Sequence, residues 1–153
     1  MGINLYREYR LKFYLNARHY IIINGHKGDA HPHTWEFTLY IRFGRSSFEE
    51  FNTFERGISS YLAPFQNALM NEKEPFDTIM PTLENMTDYF SKEFYRVIHD
   101  VGGILVQIEA SETPTRSYVV NLTEQEGNEE RNRDTEKKIR ADVMDAVLDN
   151  IIK

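Results

Sequence analysis

Three histidines are the residues best placed to do chemistry: His19, and His31 with His33 one residue apart. Side chains that alternate along a strand point to one face. From His31 to Phe43 every odd position is histidine or apolar, so both imidazoles share the face of Trp35, Phe37, Leu39 and Ile41. Upstream, Tyr9, Leu11, Phe13, Leu15, Ala17, His19, Ile21 and Ile23 form a second alternating series, again with histidine on the apolar face. Pairing these two strands as a hairpin predicts that all three rings converge at one end of a sheet. Three imidazoles with an open fourth position describe a catalytic zinc site. The competing reading of each ring is a core histidine hydrogen-bonded to backbone.

The elements that must hold these rings follow from periodicity. The two strands are joined by Asn24–Ala30, a polar loop with turn-forming glycines. Beyond Gly44 the period changes, and Phe48, Phe51, Glu55, Ile58 and Leu62 fall at helical spacing behind Ser46 and Ser47, with Glu49 and Glu50 placed for a capping box. A connection over residues 63–80 carries Pro64 and Pro75. A second helix starts after Pro81 with Thr82 as its N-cap and a stripe of Leu83, Met86, Phe90, Phe94 and Val97. It ends at Asp100–Gly103. Ile104, Val106, Ile108 and Ala110 then alternate inward on a third strand, and residues 116–122 form its partner. The order is ββααββ: an α+β fold, an antiparallel sheet with both helices on one face. Residues 1–122 make this domain. Residues 123–136 are almost wholly polar and read as a solvated linker, and 137–153 regain helical periodicity through Ile139, Val143, Ala146, Val147 and Ile151. That C-terminal amphipathic helix is expected to dock within the chain, on another subunit or on a partner.

Composition excludes several classes. A net charge of −6 argues against a non-specific nucleic-acid binder, which needs a basic surface. No apolar run is long enough to span a membrane. The opening residues lack the apolar core of a secretory signal, and Tyr6 stands where myristoylation needs Ser or Thr, so the expected compartment is the cytoplasm. Cysteine is absent, which removes disulfides, thiolate ligands and a thiol nucleophile together.

Four short stretches, in order, resemble the 6-pyruvoyl-tetrahydropterin and 6-carboxytetrahydropterin synthase family. They are Leu15-Asn-Ala-Arg-His19, Gly25-His-Lys-Gly-Asp-Ala-His31-Pro-His33, Pro81-Thr82-Leu-Glu84-Asn85 and Ser111-Glu112-Thr113-Pro114. The resemblance implies the tunnelling-type ββααββ fold, homo-oligomers such as hexamers whose sheets close into barrels, and a substrate bound where subunits meet. It implies zinc (Zn2+) on His19, His31 and His33, and a pterin substrate, dihydroneopterin triphosphate. It assigns Glu112 to the pterin ring, whose amidine-like N–H edge suits a two-oxygen acceptor, and gives Thr82 a part in seating that ring. Read without the resemblance, Glu112 is a solvated loop carboxylate and Thr82 an N-cap.

The departures fall on proton transfer. The family's cysteine base lies four residues before the first histidine of its His-x-His pair, where this chain has Lys27. The family's Asp-His pair aligns with Gln66-Asn67, and its glycine between the two histidines is Pro32. General acid–base catalysis contributes typically about 10²–10⁴-fold in rate, so a replacement base is required. His26, Lys27 and Asp29, all in the loop before His31, are the candidates. The expected function is a zinc-dependent carbon–oxygen lyase acting on a pterin, in tetrahydropterin or queuosine-type biosynthesis. The alternatives are a catalytically silent zinc- and pterin-binding homologue, or a structural subunit whose C-terminal helix recruits a partner. Arg18, Lys27 and Arg116 lie beside the motifs as candidate contacts for a triphosphate.

Overall fold

The computed structural model describes residues 2–3, 8–42 and 48–122. The linker and helix expected over 123–136 and 137–153 lie outside the described residues, as do Ser46 and Ser47. The two alternating series form strands β1 (Glu8–His19) and β4 (His31–Arg42), paired antiparallel with His19 opposite His31 and Ala17 opposite His33. Between them, β2 (Ile22–Ile23) and β3 (His26–Lys27) make a short hairpin. Its Asn24-Gly25 turn takes φ of 52° and 78°, the positive values that a type I′ turn requires. The chain leaves the β1 line after His19. Ile23 is therefore exposed rather than continuing the buried series as the alternation predicts.

Helix α1 (Phe48–Leu62) and helix α2 (Leu83–Asp100) lie against the apolar face of the sheet, sharing one core with it. Over residues 51–62 of α1 the buried positions are Phe54, Ile58 and Leu62, four apart, and Glu55 is turned to solvent. Thr82 caps α2, its hydroxyl accepting from the Asn85 N–H at 3.1 Å. At the other end the N–H of Gly102, at φ 88°, donates to His99 O and that of Gly103 to Ile98 O, the paired bonds of a Schellman stop. Phe90 sits at the centre of the core, with the rings of Phe37, Tyr61, Phe65, Phe76 and Phe94 within 5.3–6.0 Å of its own.

Strands β5 (Ile104–Thr113) and β6 (Arg116–Asn121) complete a four-stranded antiparallel sheet in the order β1-β4-β5-β6. This is an α+β fold of two helices on one face of an antiparallel sheet. A register shift between Tyr40 and Ile41 pairs them with Gln107 and Leu105, so Val106 has no register partner on β4. The extra residue reverses the phase of the first turn of β5, leaving Leu105 buried and Ile104 37% exposed, against the inward position its spacing predicts. Among the described residues no helix is long and apolar enough to cross a membrane.

The outer edge of β1 is closed by the 63–80 connection. The Arg18 N–H donates to Ala68 O, and the Asn67 N–H to Asn16 O. Two side-chain amides act as substitute peptide groups. Gln66 accepts from the Asn16 N–H at 3.0 Å and donates to Tyr14 O at 2.9 Å; Asn71 accepts from the Tyr20 N–H at 2.9 Å and donates to Tyr20 O at 3.0 Å. Because the Arg18 amide points outward, the Arg18–Pro32 pair exchanges no backbone bond across the strands. Strand β5 pairs with β4 only from Glu36 onward, so the N–H that Pro32 lacks is needed on neither side.

Candidate metal centre and cleft

The register brings the three histidines together at the end of β1 and the start of β4. Residues directly opposite and diagonal across an antiparallel pair are within side-chain reach. The ring centroids form a nearly equilateral triangle, 4.6 Å from His19 to His31, 5.0 Å from His19 to His33 and 4.8 Å from His31 to His33. One nitrogen from each lies within 4.8 Å of the others. His19 is 3% exposed, while His31 is open to solvent.

Two of the rings are oriented by backbone carbonyls. The Nδ1–H of His19 donates to Pro81 O at 2.7 Å, and the Nδ1–H of His31 donates to Asp29 O at 3.0 Å. A carbonyl only accepts, so each Nδ1 carries a hydrogen, and Nε2 is the nitrogen each neutral ring would offer to a metal. Burial holds the pKa of His19 below its usual value, against the opposing pull of the Pro81 carbonyl and of Glu112. The neutral imidazole is the form that ligates metal. Three converging ring nitrogens with no fourth histidine beside them fit an open, tetrahedral N-donor site.

Glu112 joins them from β5. Along β5 it continues the inward face of Ile108 and Ala110, one residue beyond the Glu36–Ser111 pair. On its other side Ser111 pairs with Ser117 and Thr113 with Arg116, so Glu112 itself falls in a bulge. Bulges re-aim side chains, and this one delivers a carboxylate to the histidine cluster. Its Oε1 lies 3.6 Å from His19 Nε2 and 3.7 Å from His33 Nε2 and accepts a 3.0 Å bond from the indole N–H of Trp35. The sequence marks Trp35 as a core residue, and its second task carries no periodic signal.

A cleft of about 370 Å³ opens over this cluster, lined by His19, His31, Thr82, Glu112 and Arg116 among others. Thr82 thus both caps α2 and faces the cleft. Tyr118, also in the cleft wall, donates its hydroxyl to Asp88 at 2.8 Å, and that bond raises its pKa. A more open hollow of about 530 Å³, at the end of β1 and the start of β4, reaches His33 and Asn67. The candidate bases of the loop lie elsewhere. His26 and Lys27 form β3, with the Lys27 ammonium 4.3 Å from the centre of the Tyr20 ring, and Asp29 meets His31 through its backbone oxygen. None of the three lines the cleft.

Comparison with known proteins bears on the fold. The 6-pyruvoyl tetrahydropterin synthase family matches residues 8–123. No curated protein matches the chain in sequence. Among solved structures, 6-pyruvoyl tetrahydropterin synthase from Caenorhabditis elegans superposes with a TM-score of 0.64 at 16% identity, over 79% of this chain and 99% of that one. The Plasmodium falciparum enzyme gives 0.54 at 16% identity, over 76% and 98%. A Plasmodium vivax enzyme altered in a catalytic residue gives 0.56 at 13% identity, over 78% and 100%. At such identities the superpositions speak for the fold, and the sequence match over residues 8–123 speaks for descent: the chain belongs to the 6-pyruvoyl tetrahydropterin synthase family.

Proposed function

We propose that this protein is a zinc-dependent pterin-processing enzyme, a carbon–oxygen lyase that acts on dihydroneopterin triphosphate or a related pterin. The observation that carries the reading is the convergence of His19, His31 and His33 beside the Glu112 carboxylate, which approaches His19 and His33 and, with His19 and His31, lines the cleft. His19, His31 and His33 would hold the zinc through one nitrogen each. Bound zinc supplies a Lewis acid that lowers the pKa of a coordinated hydroxyl. Glu112 grips the planar N–H edge of the pterin, Thr82 bounds the ring, and Arg116 at the cleft wall offers a cation to an anionic substituent. The protein works as a cytoplasmic homo-oligomer.

One observation favours a second reading, a zinc- and pterin-binding protein without turnover. The positions of the family's cysteine and aspartate carry groups engaged elsewhere, Lys27 on Tyr20 and Gln66 on the β1 edge. His26, Lys27 and Asp29 remain the candidate bases on this proposal, and each would have to reach the cleft from its loop.

Two experiments decide. Metal analysis of the purified protein should find about one zinc per chain. His31 is exposed, so His31→Ala should fold normally and lose the zinc; a His31→Ala protein with full metal removes the proposal. Incubation of the zinc protein with dihydroneopterin triphosphate, products resolved by mass, should show a carboxy- or pyruvoyl-tetrahydropterin. Binding without conversion selects the silent reading.

A further inference from the structure

We propose that Trp35 is a positioning residue that holds Glu112 off the metal and so keeps the fourth coordination position open. The inference rests on the zinc and pterin reading above. In a tetrahedral zinc site with N and O ligands at about 2.0–2.2 Å, neighbouring donor atoms stand about 3.4 Å apart. Glu112 Oε1 is 3.6 and 3.7 Å from the Nε2 atoms of His19 and His33, within a few tenths of an ångström of such an edge. A carboxylate so close to a dication would be expected to close on it as a fourth ligand. What competes is the indole N–H of Trp35, 3.0 Å from the same oxygen.

Trp35 is 0% exposed, and the centres of the His19 and His33 rings lie 4.9 and 5.3 Å from its own. Movement of Oε1 to the metal would draw the acceptor away from this buried donor, which costs free energy. Among the described residues this N–H has Glu112 as its partner, and no buried polar side-chain atom lacks one. The bulge that aims Glu112 and the indole that restrains it therefore act on one oxygen. They leave the carboxylate facing the cleft, free to bind a pterin ring, and leave the metal open to the substrate's own oxygens.

The arrangement makes a prediction of unusual sign. A tryptophan that merely fills the core should, on truncation, weaken metal and pterin binding alike. A tryptophan that restrains Glu112 should, as Trp35→Phe, strengthen zinc binding about tenfold, the lower end of what outer contacts contribute to metal affinity. The same variant should bind 7,8-dihydroneopterin about tenfold more weakly, since its anchor is then committed to the metal. Zinc affinity is read by chelator competition on the full chain, and pterin affinity by calorimetry on the zinc protein. In a Glu112→Gln background the Trp35→Phe gain in zinc affinity should vanish. Equal or weaker zinc binding by Trp35→Phe overturns the inference.

A second measurement does not depend on that variant folding. With Co(II) in place of zinc, wild type and Glu112→Gln should give the same visible spectrum, because Glu112 is not a ligand in either. Differing spectra would show the carboxylate on the metal and overturn the inference while leaving the zinc reading standing. A wild type that takes up neither zinc nor cobalt overturns both.

Discussion

Asn71 tests most directly how the end of β1 that carries His19 is held in place. Its amide accepts from the Tyr20 N–H at 2.9 Å and donates to Tyr20 O at 3.0 Å. Asn71→Asp changes one NH₂ to O and nothing else in shape. The acceptor half of the bracket survives, and the donor half becomes an oxygen facing a carbonyl. The lost bond costs about 1 kcal/mol, and the unpaired Tyr20 carbonyl adds about 1–2 kcal/mol, the lower part of the usual range because the site is half-buried. The total of about 2–3 kcal/mol corresponds to a fall in Tm of about 4–12 °C for a chain of this size. Once protonated, the introduced carboxyl regains a donor, so folding should raise its pKa above the unfolded value of about 3.9. The deficit is then full above the folded pKa and shrinks as the pH falls through it, because the folded state binds the proton more tightly. Asn71→Ala loses both bonds and should show a deficit independent of pH. Urea unfolding of the three proteins at several pH values measures this. An Asn71→Asp protein within about 0.5 kcal/mol of wild type at pH 7, or a deficit that ignores pH, would refute the bracket.

Two further substitutions probe the core under the site. Phe90→Ala removes the ring at the centre of the aromatic cluster and should cost about 3–5 kcal/mol in urea unfolding; a loss under about 1.5 kcal/mol would mean that the cluster collapses around the gap. Burial pushes the pKa of Tyr61 far above its usual value, and its hydrogen bond with the Tyr89 hydroxyl acts in the same direction. A raised folded pKa means stability present below the unfolded value of about 10 and lost as the pH climbs beyond it. Tyr61→Phe should therefore lose about 0.5–1.5 kcal/mol at pH 7 and flatten the alkaline fall in stability, and an unchanged slope above pH 10 would count against this.

The histidine cluster was legible in the sequence because strand alternation converts directly into geometry. His19, His31 and His33 stand in phase with apolar neighbours, and the register then makes their convergence unavoidable. Where a bulge intervenes the same rule misleads, as at Ile104, which the extra residue at Val106 turns outward. Glu112 is in phase with Ala110 by counting, but its proposed role came only from the family resemblance, since a carboxylate after a strand is ordinarily solvated. Gln66 and Asn71 have no periodic signature at all. An amide that imitates a peptide group is recognisable only once the strand edge it closes is known. The Pro81 and Asp29 carbonyls are invisible for a related reason: every residue has a carbonyl, and folding alone selects which one meets an imidazole.

These supports explain how, on the proposed reading, the histidine set can persist without the proton-transfer groups that the resemblance implies. His19 is fixed by a carbonyl at the head of α2, His31 by its own loop, and Glu112 by an indole on the neighbouring strand. None of these contacts passes through Lys27, Gln66 or Asn67. The replaced positions have structural uses of their own: Gln66 needs both its donor and its acceptor to bridge Tyr14 and Asn16, which a carboxylate cannot do, and Asn67 turns the chain at a φ of 62° so that its N–H reaches Asn16. Asparagine tolerates that backbone better than most residues. On the proposed reading, metal and ring binding rest on one set of contacts and proton transfer on another, and this chain keeps the first set whole.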